Sequence, residues 1–265
     1  MGVGAGSLGL YLLGMATDAS NSPRESGTSG VILVTGSARG IGLGVARFLA
    51  AKGARVHVVW RSEGPTADSL VEEFGARAHR ADLTGEADAV ALVKAVVEVD
   101  GRLDGLVHAV GPYRSGALGD ATADDLRHLF GGNVESAFHI FQAARESLRE
   151  AKGSVVFFGT SGLEGMRARR LTALYAAAKS ALRVLVKSWA LEEAPHGLRV
   201  NMVSPGHVPH ADAHADTLNE KLLASIPMGR PGTSEDLAQA VSWLLSSASN
   251  YSTGVDLSVT GGWLL

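Results

Sequence analysis

From Val31 onward, short runs of apolar, mostly β-branched residues alternate with longer stretches whose apolar positions recur every three or four residues. The first pattern is that of a strand and the second that of an amphipathic helix. Strands are predicted at VILVT from Val31, RVHVVW from Arg55, a weaker RAHRA from Arg77, LDGLVHAV from Leu103, SVVFFG from Ser154, LRVNMVS from Leu198 and VDLSVT from Val255. Helices are predicted near 41–52, 66–74, 85–99, 122–150, 173–194 and 234–247, long enough to serve as crossovers. The strands are almost continuously apolar, as expected where helices cover both faces of a parallel sheet. The pattern therefore predicts one doubly wound α/β domain, a seven-stranded parallel sheet flanked by helices, over 31–265. Residues 1–30 break it: the first 17 are uncharged but interrupted by five glycines, and 18–30 are small and polar. They read as a flexible N-terminal extension, not a membrane anchor.

Composition narrows the function. With 24 Lys and Arg against 27 Asp and Glu, a net charge of −3 and no long basic block, the chain lacks the electrostatic footprint of a nucleic-acid binder. It contains no cysteine, which excludes disulfides, thiolate metal sites and thiol nucleophiles. Thirty-three glycines beside an apolar fraction of 46% indicate tight turns and close backbone approaches rather than disorder.

One group of glycines has chemical meaning by its place. The first strand ends in Thr35-Gly36-Ser37-Ala38-Arg39-Gly40-Ile41-Gly42 and an amphipathic helix follows at once. Free N–H groups at a helix start attract phosphate, and glycine lets the backbone come close to it. About twenty residues further on, an NAD site carries a carboxylate for the adenosine ribose. Here that position is Trp60, followed by Arg61. With Arg39, Arg61 would neutralise a 2′-phosphate, which favours NADP(H). The competing reading is that both arginines are solvated surface charges.

Tyr175 and Lys179, four residues apart on a predicted helix, share one face. A nearby ammonium would lower the phenol pKa toward neutrality and make it an acid/base. Alone, the pair is better read as a core tyrosine beside a snorkelling lysine. In combination, however, the ordered set TGSARGIG, Asp82, Asn133, Ser161, Tyr175-Ala176-Ala177-Ala178-Lys179 and Ser204-Pro205-Gly206 resembles the short-chain dehydrogenase/reductase family over residues 31–263. The resemblance is to the branch of about 250 residues that includes 3-oxoacyl carrier-protein reductases.

That resemblance implies a Rossmann-type fold and a catalytic set of Asn133, Ser161, Tyr175 and Lys179. Tyr175 would protonate the substrate carbonyl, Ser161 would hold its oxygen, and Asn133 would anchor a proton-relay water. Lys179 would lower the phenol pKa and bind the nicotinamide ribose. Cofactor contacts would come from Gly36, Ser37, Arg39, Gly40, Ile41, Gly42, Arg61, Asp82, Leu83, Ala109, Gly111, Tyr175, Lys179, Pro205, Gly206 and Val208. A homotetramer or homodimer would form through the fourth and fifth helices, with Trp263-Leu264-Leu265 near a second interface. Asp82 also fits a helix cap, and Asn133 a helix-interior amide satisfied by backbone.

Three positions depart from the family pattern. His108-Ala109-Val110-Gly111 replaces the usual Asn-Asn-Ala-Gly, so the amide that braces neighbouring strands is missing. Ser161 lies fourteen residues before Tyr175, one more than the commonest spacing, with Thr160 as the fallback hydroxyl. His210 stands where a threonine often contacts the cofactor. The nearby His207, His210, Asp212, His214 and Asp216 form no fixed ligand register, so they read as a polar lid rather than a metal site. Arg167, Arg169 and Arg170 lie near the expected substrate entrance, where they would attract a carboxylate, phosphate or acyl-carrier surface or else be ordinary solvated charges.

The expectation is an NADPH-dependent reductase of a small or polyketide-like ketone, a cytoplasmic homo-oligomer with no nucleic-acid or membrane partner and no metal. Alcohol dehydrogenation or C=N or C=C reduction on the same platform is the alternative. A non-redox NADP(H) sensor or scaffold is the reading of a different class.

Overall fold

Successive residues of the first strand part to opposite sides of a sheet. In the computed structural model, which describes residues 30–163, 165, 167–209 and 220–264, β1 (Val31–Thr35) sends Val31 and Leu33 into one apolar cluster and Ile32 and Val34 into another. This is the two-residue period of a strand whose faces are both covered. The remaining strands are β2 (Arg55–Trp60), β3 (Ala78–Arg80), β4 (Gly105–His108), β5 (Ser154–Phe158), β6 (Arg199–Pro205) and β7 (Asp256–Val259). All seven pair in parallel in the order β3-β2-β1-β4-β5-β6-β7.

The helices are α1 (Gly40–Ala51), α2 (Pro65–Phe74), α3 (Glu86–Asp100), α4 (Ala123–Phe130), α5 (Ser136–Glu150), α6 (Ala173–Glu193), α7 (Glu220–Ala224) and α8 (Ser234–Leu245). One layer contributes Val45 and Leu49 of α1, Leu70 of α2 and Leu237 and Leu244 of α8 to the second cluster. The other contributes Leu92 and Val96 of α3, Ile140 and Phe141 of α5 and Leu182 and Trp189 of α6 to the first. There Trp189 stacks on Phe141 and Phe157 at ring-centroid distances of 4.3 and 5.4 Å. At the sheet's flank, buried His57 places Nε2 2.8 Å from an Asp100 carboxylate oxygen and Nδ1 2.8 Å from His79 Nε2.

The expected architecture is thus found: a single Rossmann-like domain. The predicted 122–150 helix is divided by a π-helical turn, Gly131–Glu135, between α4 and α5. The RAHRA and LDGLVHAV runs yield only the short β3 and β4, and α7 was not expected. The N-terminal extension over 1–29 lies outside the described residues, as do His210, Asp212, His214, Asp216 and Leu265. The strand order reverses between β1 and β4, and their carboxyl ends open the crevice where such sheets bind ligands.

Candidate active site

At that crevice the glycines are fixed by contact. Gly36 has φ +69°, and a Cβ on it would lie 2.6 Å from the Ala109 carbonyl carbon, where β1 and β4 diverge. Gly40 has φ +58°. A Cβ on Gly42 would meet the Gly36 carbonyl oxygen at 2.3 Å. At these three positions the loop and the first turn of α1 have no room for a side chain or favour none, and the backbone can come close to a ligand. Ser37 does not face it. Its buried hydroxyl donates to Val34 O at 2.7 Å and accepts from Val59 N at 2.7 Å, so it ties β1 to β2.

The cleft has a volume of about 1070 Å³ and runs from Gly36, Ala38 and Arg39 past Arg61 and Asp82 to Gly111 and Gly132. This is ample for a dinucleotide-sized ligand. Leu83 and Ala109 line it too, as do the exposed Arg39 and Arg61. A third cation, Arg80, went unnoticed in the sequence: its Nε donates to the Arg61 carbonyl at 3.1 Å and its guanidinium pairs with Glu63. Asp82 Oδ1 accepts from the Thr84 N–H at 3.1 Å and the Thr84 hydroxyl at 2.8 Å. Partial burial opposes its charge, but Thr84 and the Arg61 cation outweigh burial and hold the carboxyl below its usual value. Ile41 packs beside the second apolar cluster. Pro205, Gly206 and Val208 are not among the cleft's lining residues. Gly206 donates its N–H to Val259 O of β7 at 2.9 Å, and a Cβ on it would lie 2.7 Å from Thr260 Cα just beyond that strand.

Gly111 joins this cleft to a second group of side chains. A Cβ there would lie 2.5 Å from Asn133 Oδ1 and 2.9 Å from Lys179 Nζ. Asn133, fully buried in the π-helical turn, donates from Nδ2 to Pro112 O at 3.0 Å and Leu129 O at 2.9 Å, while its Oδ1 has no protein partner. Lys179 donates to Phe158 O at 2.8 Å. Burial pulls its ammonium down to about 8.

Tyr175 departs from expectation in its electrostatics. Burial pushes its phenol up to about 12; a hydrogen bond with Thr160 opposes that rise and Tyr113 adds to it. Lys179 Nζ lies 5.9 Å from the Tyr175 ring centroid and is spent on the Phe158 carbonyl. The net shift of the phenol is therefore upward, set by burial, and not down toward neutrality as the sequence suggested. The Tyr113 ring meets the Tyr175 ring edge to face at 5.0 Å.

The hydroxyl beside Tyr175 also differs from expectation: it belongs to Thr160 rather than Ser161. Beyond β5 the chain stays paired with β6, through Gly159 N to Val203 O at 2.9 Å and Ser161 N to Pro205 O at 3.2 Å. Neighbours on such an extended segment face opposite ways, so only one of two adjacent hydroxyls can meet the phenol. Arg169 is likewise engaged, donating to the Ser161 carbonyl at 3.1 Å and to the Gly162 carbonyl. It holds the loop and is not free for an incoming anion, whereas Arg167 and Arg170 are exposed.

These features define a nucleotide cleft at a parallel-sheet switch point, with an amide and an ammonium behind Gly111 and a phenol and its hydroxyl partner beside that ammonium. Comparison with known proteins agrees. The family profile described as "Enoyl-(Acyl carrier protein) reductase" matches residues 36–264. A 3-oxoacyl-[acyl-carrier-protein] reductase of Staphylococcus aureus is 33% identical over 238 residues, covering 87% of this chain and 96% of the relative. An L-fucose dehydrogenase of Oryctolagus cuniculus is 34% identical over 242 residues, covering 88% and 84%. Among solved structures, a blue fluorescent protein from a metagenomic library in complex with NADPH superposes with TM-score 0.81 at 31% identity, covering 90% of this chain and 99% of that one. A short-chain type dehydrogenase/reductase from Mycobacterium ulcerans gives TM-score 0.81 at 30% identity, covering 89% and 90%. The chain belongs to the short-chain dehydrogenase/reductase family. It is an oxidoreductase of the kind that works with a nicotinamide cofactor.

Proposed function

We propose that the protein is an NADPH-dependent ketone reductase in which Tyr175 is the proton donor. The observation that carries this reading is the half-buried Tyr175–Thr160 pair beside Lys179, whose ammonium lies with Asn133 behind Gly111 of the nucleotide cleft. A phenol with its pKa near 12 is fully protonated at neutral pH, the form a reduction consumes.

The cleft residues fit the cofactor: the glycine-rich turn of Gly36, Gly40 and Gly42 would take the pyrophosphate, Arg39 and Arg61 a 2′-phosphate, and Asp82 and Leu83 the adenine. When bound, reduced nicotinamide supplies hydride to the carbonyl carbon. The chain's own residues manage the oxygen. Thr160 and Tyr175 present hydroxyls to it where negative charge develops, and Tyr175 releases its proton to it. The resulting phenolate regains a proton from Lys179, which is mostly charged at pH 7. Asn133 Oδ1, beside the ammonium, offers the acceptor through which one bridging water would resupply it.

The exposed Phe138, Val184 and Leu191 on α5 and α6 support a homo-oligomer built on these helices. A cytoplasmic setting, supplied with reduced nucleotide, suits the chemistry. Among the described residues no helix is long and apolar enough to cross a membrane. A C=C reductase is the second reading, favoured by the wording of the matching family profile.

Nucleotide oxidation measured with acetoacetyl-CoA, a cyclic ketone and crotonyl-CoA, each with NADPH and with NADH, separates these readings. Ketone reduction driven by NADPH is expected. Replacing both Arg39 and Arg61 by Ala should cost NADPH affinity about 10- to 100-fold, as for loss of charge-assisted hydrogen bonds. Turnover of crotonyl-CoA alone would overturn the assignment in favour of the second reading, and equal use of both nucleotides would overturn the arginine roles.

A further inference from the structure

His108, where the family pattern has asparagine, is buried at the end of β4 and lies between two hydroxyls. Its Nδ1 is 2.8 Å from Thr35 Oγ1 and its Nε2 is 3.2 Å from Ser136 Oγ. The direction of each bond can be worked out. Ser136 donates its only hydroxyl proton to the Gly132 carbonyl at 2.7 Å, so His108 Nε2 must be the donor toward Ser136. That leaves Nδ1 as acceptor of the Thr35 hydroxyl proton. The ring is neutral, since burial and the Lys179 charge push its pKa down to about 3.

This chain of bonds ends on the π-helical turn that carries Asn133. A π-helical turn interrupts the regular i to i+4 ladder, so the groups that take up its carbonyls help to fix its shape. Gly132 is held twice. Its carbonyl is taken by Ser136, and its Cα side packs on Pro112, where a Cβ would lie 2.3 Å from Pro112 Cδ. Pro112 O in turn accepts from Asn133 Nδ2. We infer that His108 is a positioning residue: through Ser136 and the Gly132 carbonyl it holds the turn that aims the Asn133 amide at Lys179. This goes beyond bracing β1 against β4, which the Thr35 contact alone would achieve. It rests on the reading of Asn133 and Lys179 as the proton supply.

The two ring nitrogens can be tested separately. His108→Asn places an amide near the position of Nδ1 and reaches only Thr35, whereas His108→Gln places one near Nε2 and reaches Ser136. Backbone hydrogen exchange over 131–136 in the full chain, a readout that needs no substrate, should rise about tenfold in His108→Asn and Ser136→Ala and stay near wild type in His108→Gln. With acetoacetyl-CoA as probe, kcat should fall about tenfold in the first two while KM for NADPH changes less than about twofold, and Gln should restore most of kcat. If His108→Asn misfolds, Ser136→Ala alone decides. Unchanged exchange in Ser136→Ala, or equal effects of Asn and Gln, would overturn the inference. Its failure is separable from that of the catalytic reading: a Tyr175→Phe variant that still turns over defeats the latter, whatever the exchange shows.

Discussion

Gly111→Ala is a small change placed where the geometry allows no room. The backbone of Gly111 is not in the left-handed region, so alanine is tolerated there conformationally and the consequence comes from contact alone. The new methyl would sit 2.5 Å from Asn133 Oδ1 and 2.9 Å from Lys179 Nζ, about 0.9 and 0.5 Å inside ordinary contact. Asn133 can retreat only by giving up its bonds to Pro112 O and Leu129 O, which at roughly 1 kcal/mol each makes about 2 kcal/mol. Lys179 can retreat only by leaving Phe158 O, a charge-assisted bond worth about 1.5–3 kcal/mol. Either route lowers stability by about 1.5–3 kcal/mol and displaces one member of the proton supply, for which a loss near 100-fold in kcat is expected. Denaturant unfolding and steady-state kinetics measure the two effects. Gly119→Ala is the control, because nothing lies within 4 Å of a Cβ there. If Gly111→Ala kept both the stability and the kcat of the wild type, the placement of Asn133 and Lys179 against Gly111 would be refuted.

Removal of the Thr160 hydroxyl by Thr160→Val should lower kcat by about 10²–10³, the range for one oxyanion donor, with Thr160→Ser restoring most of it. Ser161→Ala should stay within about threefold of wild type because its side chain lies on the other side of the extended segment; the reverse ranking in a kinetic comparison would return the role to Ser161. Burial holds His79 near 4 and, with the Lys179 charge, His108 near 3. The unfolded chain takes up protons near pH 6.5 that the folded chain refuses, so stability present above 6.5 is lost as pH falls toward those values. Between pH 6.5 and about 5.5 few carboxylates titrate, so the slope in that window reports the histidines. A denaturation midpoint that stays flat over that window would show that they are not held neutral.

Much of this fold lies open in the sequence because its signals are local. The apolar runs give the sheet, and TGSARGIG between strand and helix marks the phosphate loop. What stays hidden depends on register and direction. Thr160 and Ser161 are both plausible hydroxyls until the pairing of 159–161 with β6 decides which one faces Tyr175. Spacing puts Lys179 one turn from Tyr175, but whether its ammonium points at the phenol or at the Phe158 carbonyl is a matter of side-chain course. Ser37 looks like a ligand contact from its place in the loop, and only the position of Val59 across the sheet turns it into a strap. The π-helical turn leaves no clear sequence mark, since Gly131-Gly132-Asn133 reads as a weak spot in a long helix. His108 marks a departure whose compensation, Thr35 on one side and Ser136 on the other, comes from distant segments.

Tyr175→Phe removes a single oxygen from the phenol that the whole account makes the proton donor, and leaves the nucleotide cleft untouched. NADPH fluorescence should report unchanged binding while ketone reduction falls by at least about 10³-fold, the scale of lost general acid catalysis. Ketone reduction at the wild-type rate in that variant would contradict the account.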